Sequence, residues 1–201
     1  MFRIILASAS PRRKEILEQM GIAYEVMAAQ VKEEVEEKEP AAMVEALASL
    51  KAKNVAEGIK DGQDNYIIIG ADTMVFHKNN ALGKPKDREE AIKMLQSLSD
   101  DIHEVYTGVC IIIKRNNKVK EFNKEIVFSV NTQVVVAPLS MEEIIDYVDT
   151  GEAYDKAGAY AIQGGFGIYI KEIHGDYYNV VGFPIAKIYE KLLELGINIK
   201  K

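Results

Sequence analysis

Tyr66-Ile67-Ile68-Ile69-Gly70-Ala71-Asp72-Thr73 is the stretch on which the fold turns. Its first four residues are a continuous apolar run, as expected of a strand at the centre of a sheet covered on both faces, and this predicts an α/β protein. The run leads into a glycine, which would let a ligand approach, and then into the carboxylate of Asp72. Met74-Val75-Phe76 continues as strand, so Asp72 falls inside an extended segment where a solvated turn acid is not expected. A carboxylate directly after a central strand is a common place for a metal-binding or general-base acid in open α/β sheets.

Upstream, Ile4, Ile5 and Leu6 predict a short buried strand, followed by Ala7-Ser8-Ala9-Ser10-Pro11-Arg12-Arg13. Ser10 and Pro11 mark a helix start, with serine expected to cap free amides and proline tolerated at the first helical position. Ile16, Leu17 and Met20 form the apolar stripe of that helix, and Gly21 ends it. Two arginines, two hydroxyls and the unpaired amides of a helix N-terminus suit a polyphosphate. A surface helix with two solvated arginines fits this stretch equally well. Tyr24 to Ala28 reads as a second short strand, and the acidic tract from Lys32 to Glu39, which includes Glu33, as a solvated connection. Pro40 opens a long helix with Val44, Leu47, Ala48 and Val55 on one face. Lys51 falls at the centre of that face and Lys53 opposite it. Lys51 can either snorkel to the rim or serve as a phosphate ligand.

Downstream, Asn79-Asn80 predicts a turn, and Asp87 with Glu90 a capping box opening a helix. Gly83-Lys84-Pro85 lacks the GxxxxGK[ST] spacing of a P-loop, so Lys84 would meet a phosphate only as a point charge from a loop. A hairpin follows: His103, Val105, Thr107 and Val109 alternate, Asn116-Asn117 turns, and Ile126 to Val136 pairs back. Ser140 with Glu143 caps a further helix that Thr150-Gly151 ends. Asp155 to Gly164 is rich in small residues, with Gln163 expected at the end of a strand. Gly164, Gly165 and Gly167 are too loosely spaced for a nucleotide fingerprint. Ile168 to Ile173 reads as strand, Gly175-Asp176 as a turn, and Ile185, Ile188 and Leu192 as the apolar face of a last helix. No linker or repeat divides residues 1–201, which are read as one domain.

The 201 residues, 48% hydrophobic, suffice for a substantial core. Thirty-one acids against 25 bases give a net charge of -6, which argues against nucleic acid as the main partner. No window approaches the roughly 18 apolar residues of a membrane span. The single cysteine, Cys110, sits in the apolar run Val109 to Ile113, which predicts a buried thiol and fits a reducing, cytoplasmic setting. Three scattered histidines offer no zinc-type site.

Taken in order, Ala7 to Arg13, Gly70 to Thr73, Gly83 to Pro85, His103 to Gly108, Asp155 to Gly164 and Gly175 to Pro184 make a sequence that resembles the Maf family of nucleoside triphosphate pyrophosphatases over essentially its whole length. The tract Asp155 to Gly164 resembles the branch acting on dTTP and UTP. The resemblance implies a mixed α/β fold like that of the inosine triphosphatases, with an elongated central sheet flanked by helices in two lobes and a cleft between them, and subunits that commonly form a homodimer. It implies hydrolysis between the α and β phosphates, releasing a nucleoside monophosphate and pyrophosphate with the help of a divalent cation, Mg²⁺ or Mn²⁺. Asp72 takes the position of the proton acceptor, and Arg12, Thr73 and Gln163 those linked to substrate choice. Ser8, Arg13, Glu33, Lys51 and Lys84 match further active-site positions, with Glu33 and Asp72 as the metal carboxylates. Where the family usually has Asp-Val-Asp-Glu, this chain has Gln30-Val31-Lys32-Glu33, which leaves one acid of the set. His103 is read as structural. A purine or 7-methyl-GTP pyrophosphatase and a non-catalytic nucleotide-binding regulator of septum formation are the other readings.

Overall fold

The computed structural model describes residues 2–59, 65–115 and 122–200. Its elements run β1 (Phe2–Leu6), α1 (Pro11–Gln19), β2 (Glu25–Val26), α2 (Pro40–Gly58), β3 (Asn65–His77), β4 (Asn80–Leu82) and α3 (Arg88–Leu98). Then follow β5 (Ile102–Arg115), β6 (Phe122–Val136), α4 (Met141–Asp149), β7 (Ile170–His174), α5 (Tyr177–Val181) and α6 (Ile185–Leu193), with 3₁₀ turns at Ala157–Ala159 and Gly165–Tyr169. The seven strands form one sheet in the order β2-β1-β3-β5-β6-β7, with β4 paired to β3. β1 pairs parallel with β2 and β3, while the β3–β4 and β6–β7 pairs are antiparallel. The mixed α/β sheet with helices is therefore as expected. The chain folds as two units. One holds the residues up to Asp72, Thr107–Ser129 and the residues from Gly182 on; the other holds Thr73–Tyr106 and Val130–Val181.

In the first unit, Ile5 of β1 lies beside Ile68 of β3, and both are buried with Ala48, Ala52 and Val55 of α2 and with Cys110. The apolar run of β3 is thus central, as its composition predicts. Helix α2 approaches the sheet closely at two glycines. A Cβ on Gly70 would overlap the carbonyl oxygen of Ala48, and one on Gly108 that of Val44. The space left by Gly70 is filled by helix backbone, not by a ligand as the sequence suggested. Burial in this apolar core raises the Cys110 thiol to about 11, so it stays protonated at neutral pH.

In the second unit, α3 and α4 bury Leu95, Leu98, Ile144 and Val148 around Tyr147, Tyr160 and Phe166. Asp87 caps α3 by accepting from the Glu90 amide at 2.8 Å, while Glu90 reaches past the cap to the amide of Lys86. The Ser140–Glu143 capping box of α4 is complete. The hairpin turn falls one residue earlier than predicted. Lys78 and Asn79 take the positive φ values (49° and 64°) that a two-residue turn of this hand requires, and Asn80 already belongs to β4.

Three further expectations change. Only Glu25–Val26 of the Tyr24 to Ala28 run pairs as strand. β7 starts at Ile170, because Gly165–Tyr169 coils into a 3₁₀ turn. Asp176 caps the five-residue helix α5, too short to leave an apolar period in the sequence. The expected Asn116-Asn117 turn lies outside the described residues. Among the described residues no helix is long and apolar enough to cross a membrane.

Candidate active site

Five of the predicted residues come together in the first unit: Ser8, Arg13, Glu33, Lys51 and Asp72. Asp72 is buried in mid-strand, 8% exposed, and its Oδ1 accepts from Lys51 Nζ at 2.6 Å. Lys51 does not snorkel to solvent. Its ammonium also reaches Glu33 Oε1 at 2.9 Å, so two carboxylates flank one cation. The seating of α2 on Gly70 sets that geometry, since Gly70 lies two residues before Asp72 and packs against Ala48 and Ala52 on either side of Lys51. The same helix ties down the loop that carries Glu33, because Asn54 Oδ1 accepts from the Gln30 amide at 3.0 Å. Lys53 points elsewhere and pairs with Glu125 on β6.

Arg13 is buried and fastened. Its Nε donates to the Gly182 carbonyl at 2.8 Å and its Nη1 to Ser8 Oγ at 2.9 Å. Ser8 Oγ also accepts from the Ser10 amide at 3.2 Å. Ser10 occupies the N-cap position but makes no side-chain cap bond, contrary to the helix-start reading, and the hydroxyl that orders the turn is that of Ser8. Proline does occupy the first turn, and Gly21, at φ 65°, closes the helix. Burial lowers the affinity of the Arg13 guanidinium for its proton, while Asp72 opposes that effect and Arg12 adds to it. A guanidinium keeps its proton even so, which leaves a fixed positive charge at the first turn of α1. Arg12 is half-buried on the same turn.

Thr73 follows Asp72 in β3, so the two side chains leave opposite faces of the strand. Lys84 is exposed in the loop between β4 and α3. Gln163 is exposed as well, but it sits on a turn and not at a strand end: the Gly164 amide donates to the Ala161 carbonyl at 3.1 Å. These three residues belong to the second unit. His103 is buried, with Nε2 2.7 Å from Tyr160 Oη, in keeping with a structural role.

Sequence reasoning missed the Gly182 carbonyl as the acceptor for Arg13, since its only signal was a glycine before Phe183-Pro184. It also missed that Gly108 seats α2, since the helix backbone it meets, at Val44 and Glu45, is distant in sequence. Among the described residues no group of three or more His, Cys, Asp and Glu side chains is placed to hold a metal. The carboxylate pair Asp72 and Glu33 is what remains for a cation. The cluster combines a buried carboxylate, a more exposed carboxylate, an ammonium and a fixed guanidinium, a set suited to polyanion chemistry.

The profile of Maf-like proteins matches residues 3–195 of the chain. A dTTP/UTP pyrophosphatase of Lachnoclostridium phytofermentans is 46% identical over 201 residues, covering all of this chain and 99% of its own length. One from Agathobacter rectalis is 45% identical over 209 residues, 99% of this chain and all of its own, and one from Bacillus thuringiensis is 44% identical over 200 residues, 99% of this chain and 98% of its own. Among solved structures, the Staphylococcus aureus Ham1 protein aligns with 67% of this chain and 72% of its own at 17% identity and a TM-score of 0.41, too loose a superposition to bear on the fold. With a profile match from end to end and relatives near 45% identity at full length, the chain belongs to the Maf family.

Proposed function

We propose that this chain is a nucleoside triphosphate pyrophosphatase that cleaves dTTP and UTP between the α and β phosphates, releasing the monophosphate and pyrophosphate. The observation that carries the reading is the convergence of Lys51 on Asp72 and Glu33, with Asp72 buried inside a strand. A buried carboxylate held by an ammonium is costly for stability and is a common form of catalytic base. Relatives of matching length named for dTTP and UTP hydrolysis support the substrate class.

In this mechanism Asp72 orients the attacking water and accepts its proton. Arg12, Arg13, Lys51 and Lys84 offset the charge that develops on the departing pyrophosphate, where most of the rate enhancement in phosphoryl chemistry arises. Thr73 and Gln163 contact the nucleoside, and Ser8 holds Arg13 in place. Glu33 and Asp72 direct oxygens at a single cationic centre. Two carboxylates completed by phosphate oxygens suit the hard ligand preference of Mg²⁺ or Mn²⁺, so these two residues would hold the divalent ion. When bound, such an ion neutralises phosphate charge and acidifies water. A cytoplasmic setting and a homodimer complete the reading, the latter to be checked by light scattering.

The test is a screen of pyrophosphate release over the common and modified nucleoside triphosphates, with and without Mg²⁺ or Mn²⁺. Turnover confined to pyrimidine triphosphates and dependent on the ion is expected. A preference for purine or 7-methylguanine triphosphates, or binding without turnover, would overturn it.

A further inference from the structure

The turn that carries Gln163 is held at both ends by side chains from α4 and the residues just after it. At one end the Ala161 amide donates to Tyr147 Oη at 3.2 Å, and at the other the Gly165 amide donates to Glu152 Oε2 at 3.0 Å. Between them the Gly164 amide closes the turn on the Ala161 carbonyl. Underneath, the buried Phe166 ring packs against Tyr147 and Tyr160, at ring separations of 5.1 Å and 4.9 Å. Glu152 is itself fixed. Its amide donates to Thr150 Oγ1 at 3.3 Å, and that hydroxyl donates to the Tyr147 carbonyl at 2.6 Å.

Gly164 gives an independent sign of the same fit. Its φ of -106° and ψ of -157° lie in an extended region open to any residue, so the backbone does not call for glycine there. A Cβ at Gly164, however, would fall on Glu152 Oε1 and within 2.7 Å of Oε2. The glutamate carboxylate occupies the space where a side chain would stand, so any larger residue at 164 must push that carboxylate aside. An ionised acceptor on a backbone amide makes a bond about twice as strong as a neutral one.

We infer that Glu152 is a positioning residue for base discrimination: its carboxylate clamps the turn so that the exposed Gln163 carboxamide is presented in one orientation. The inference rests on the reading of Gln163 as a base contact. A carboxamide can meet the N–H and carbonyl of uracil or, turned over, the acceptor and amino group of cytosine. A fixed turn limits which of the two is offered, and a loosened one admits both.

The experiment compares kcat/KM for UTP and CTP in the wild type, Gln163→Ala, Glu152→Ala, Glu152→Gln, Gly164→Ala and the pairs Glu152→Ala/Gln163→Ala and Glu152→Ala/Gly164→Ala. Loss of one well-placed hydrogen bond corresponds to about fivefold or more in the UTP to CTP ratio. Gln163→Ala should lower the ratio by that much, Glu152→Ala should lower it similarly, and the two together no further. Glu152→Gln keeps an acceptor for the Gly165 amide and should restore most of the ratio, a rescue that a general loss of stability would not give. Gly164→Ala displaces the carboxylate without deleting it, so it should lower the ratio in the native chain and add nothing once Glu152 is alanine. A wild-type ratio in Gly164→Ala or in folded Glu152→Ala, with Gln163→Ala impaired, overturns the clamp and leaves the base contact standing. A wild-type ratio in Gln163→Ala overturns the base contact and the clamp with it.

Discussion

Lys51 Nζ lies 2.6 Å from Asp72 Oδ1, with the two side chains only 12% and 11% exposed. Taken from the helix alone, a lysine on an apolar stripe costs stability, and its removal should be silent or beneficial. The ion pair reverses that expectation, because alanine at position 51 leaves a buried carboxylate without its ammonium. Lys51→Ala should cost about 3 kcal/mol by chemical denaturation, and Lys51→Met combined with Asp72→Asn should recover most of it. Asp72→Asn alone should keep the fold and lower turnover by about 10² to 10⁴. Near-normal turnover in Asp72→Asn would remove Asp72 from the mechanism.

Gly70 and Gly108 both seat the helix that carries Lys51. A methyl group at either position collides with α2 backbone, at Ala48 and Ala52 for Gly70 and at Val44 and Glu45 for Gly108. Backbone cannot rotate aside as a side chain can, so the helix must lift or tilt. Gly70→Ala and Gly108→Ala should each lower stability by about 1 to 3 kcal/mol. Gly70→Ala, which acts one turn from Lys51, should also reduce kcat more than its melting shift explains. Equal loss of kcat in both variants at matched stability would count against a special role for Gly70.

His103 makes the fold sensitive to acid. Burial depresses its imidazole to about 4, from an ordinary value of 6.5, with His77 adding to the effect and Asp101 opposing it. Its Nε2 meets Tyr160 Oη, while Nδ1 has no partner among the described residues, so a protonated ring would carry a buried, unsatisfied N–H. The unfolded chain takes up the proton at the higher pH. The contribution of His103 to stability is therefore complete above about 6.5 and is lost progressively as the pH falls toward about 4, a difference of about 3 kcal/mol. Denaturation at pH 7 and pH 4.5 should show that slope, and His103→Phe should flatten it. An unchanged slope in that variant would place the acid sensitivity elsewhere.

Elements with strong local signals were legible in the sequence, because their cause is local. The isoleucine run of β3, the Ser140–Glu143 capping box and the proline at the start of α2 all appear as written. Lys51 was legible as a cation on the wrong face of a helix, yet its partner was not, since only the close approach at Gly70 brings α2 down to Asp72. The role of Ser10 was misread because a serine before a proline signals a cap whether or not its hydroxyl bonds, and here Ser8, two residues earlier, takes the amide. The tract around Gln163 is rich in small residues and reads as a strand end, whereas the structure makes it a turn. Tyr147 of α4 and Glu152 just beyond that helix hold its two ends, and no local pattern reports such contacts.

Gln163→Glu tests the base contact with almost no change of shape. Gln163 is exposed and at the centre of its turn, so the substitution should leave the melting temperature within about 1 °C, as expected of a surface position. A carboxylate keeps acceptors but loses the amide donor, so the O4 carbonyl of uracil or thymine faces oxygen without a hydrogen bond. That loss should cost dTTP and UTP about 1 to 3 kcal/mol in kcat/KM. Cytosine presents an amino group at the same place and can still donate to the carboxylate, so CTP should lose less. The CTP to UTP specificity ratio is expected to rise by about fivefold or more, read from kcat/KM under identical ion concentrations. If both substrates weaken together, the new charge is acting on the triphosphate and not on the base edge, and Gln163 does not read the pyrimidine.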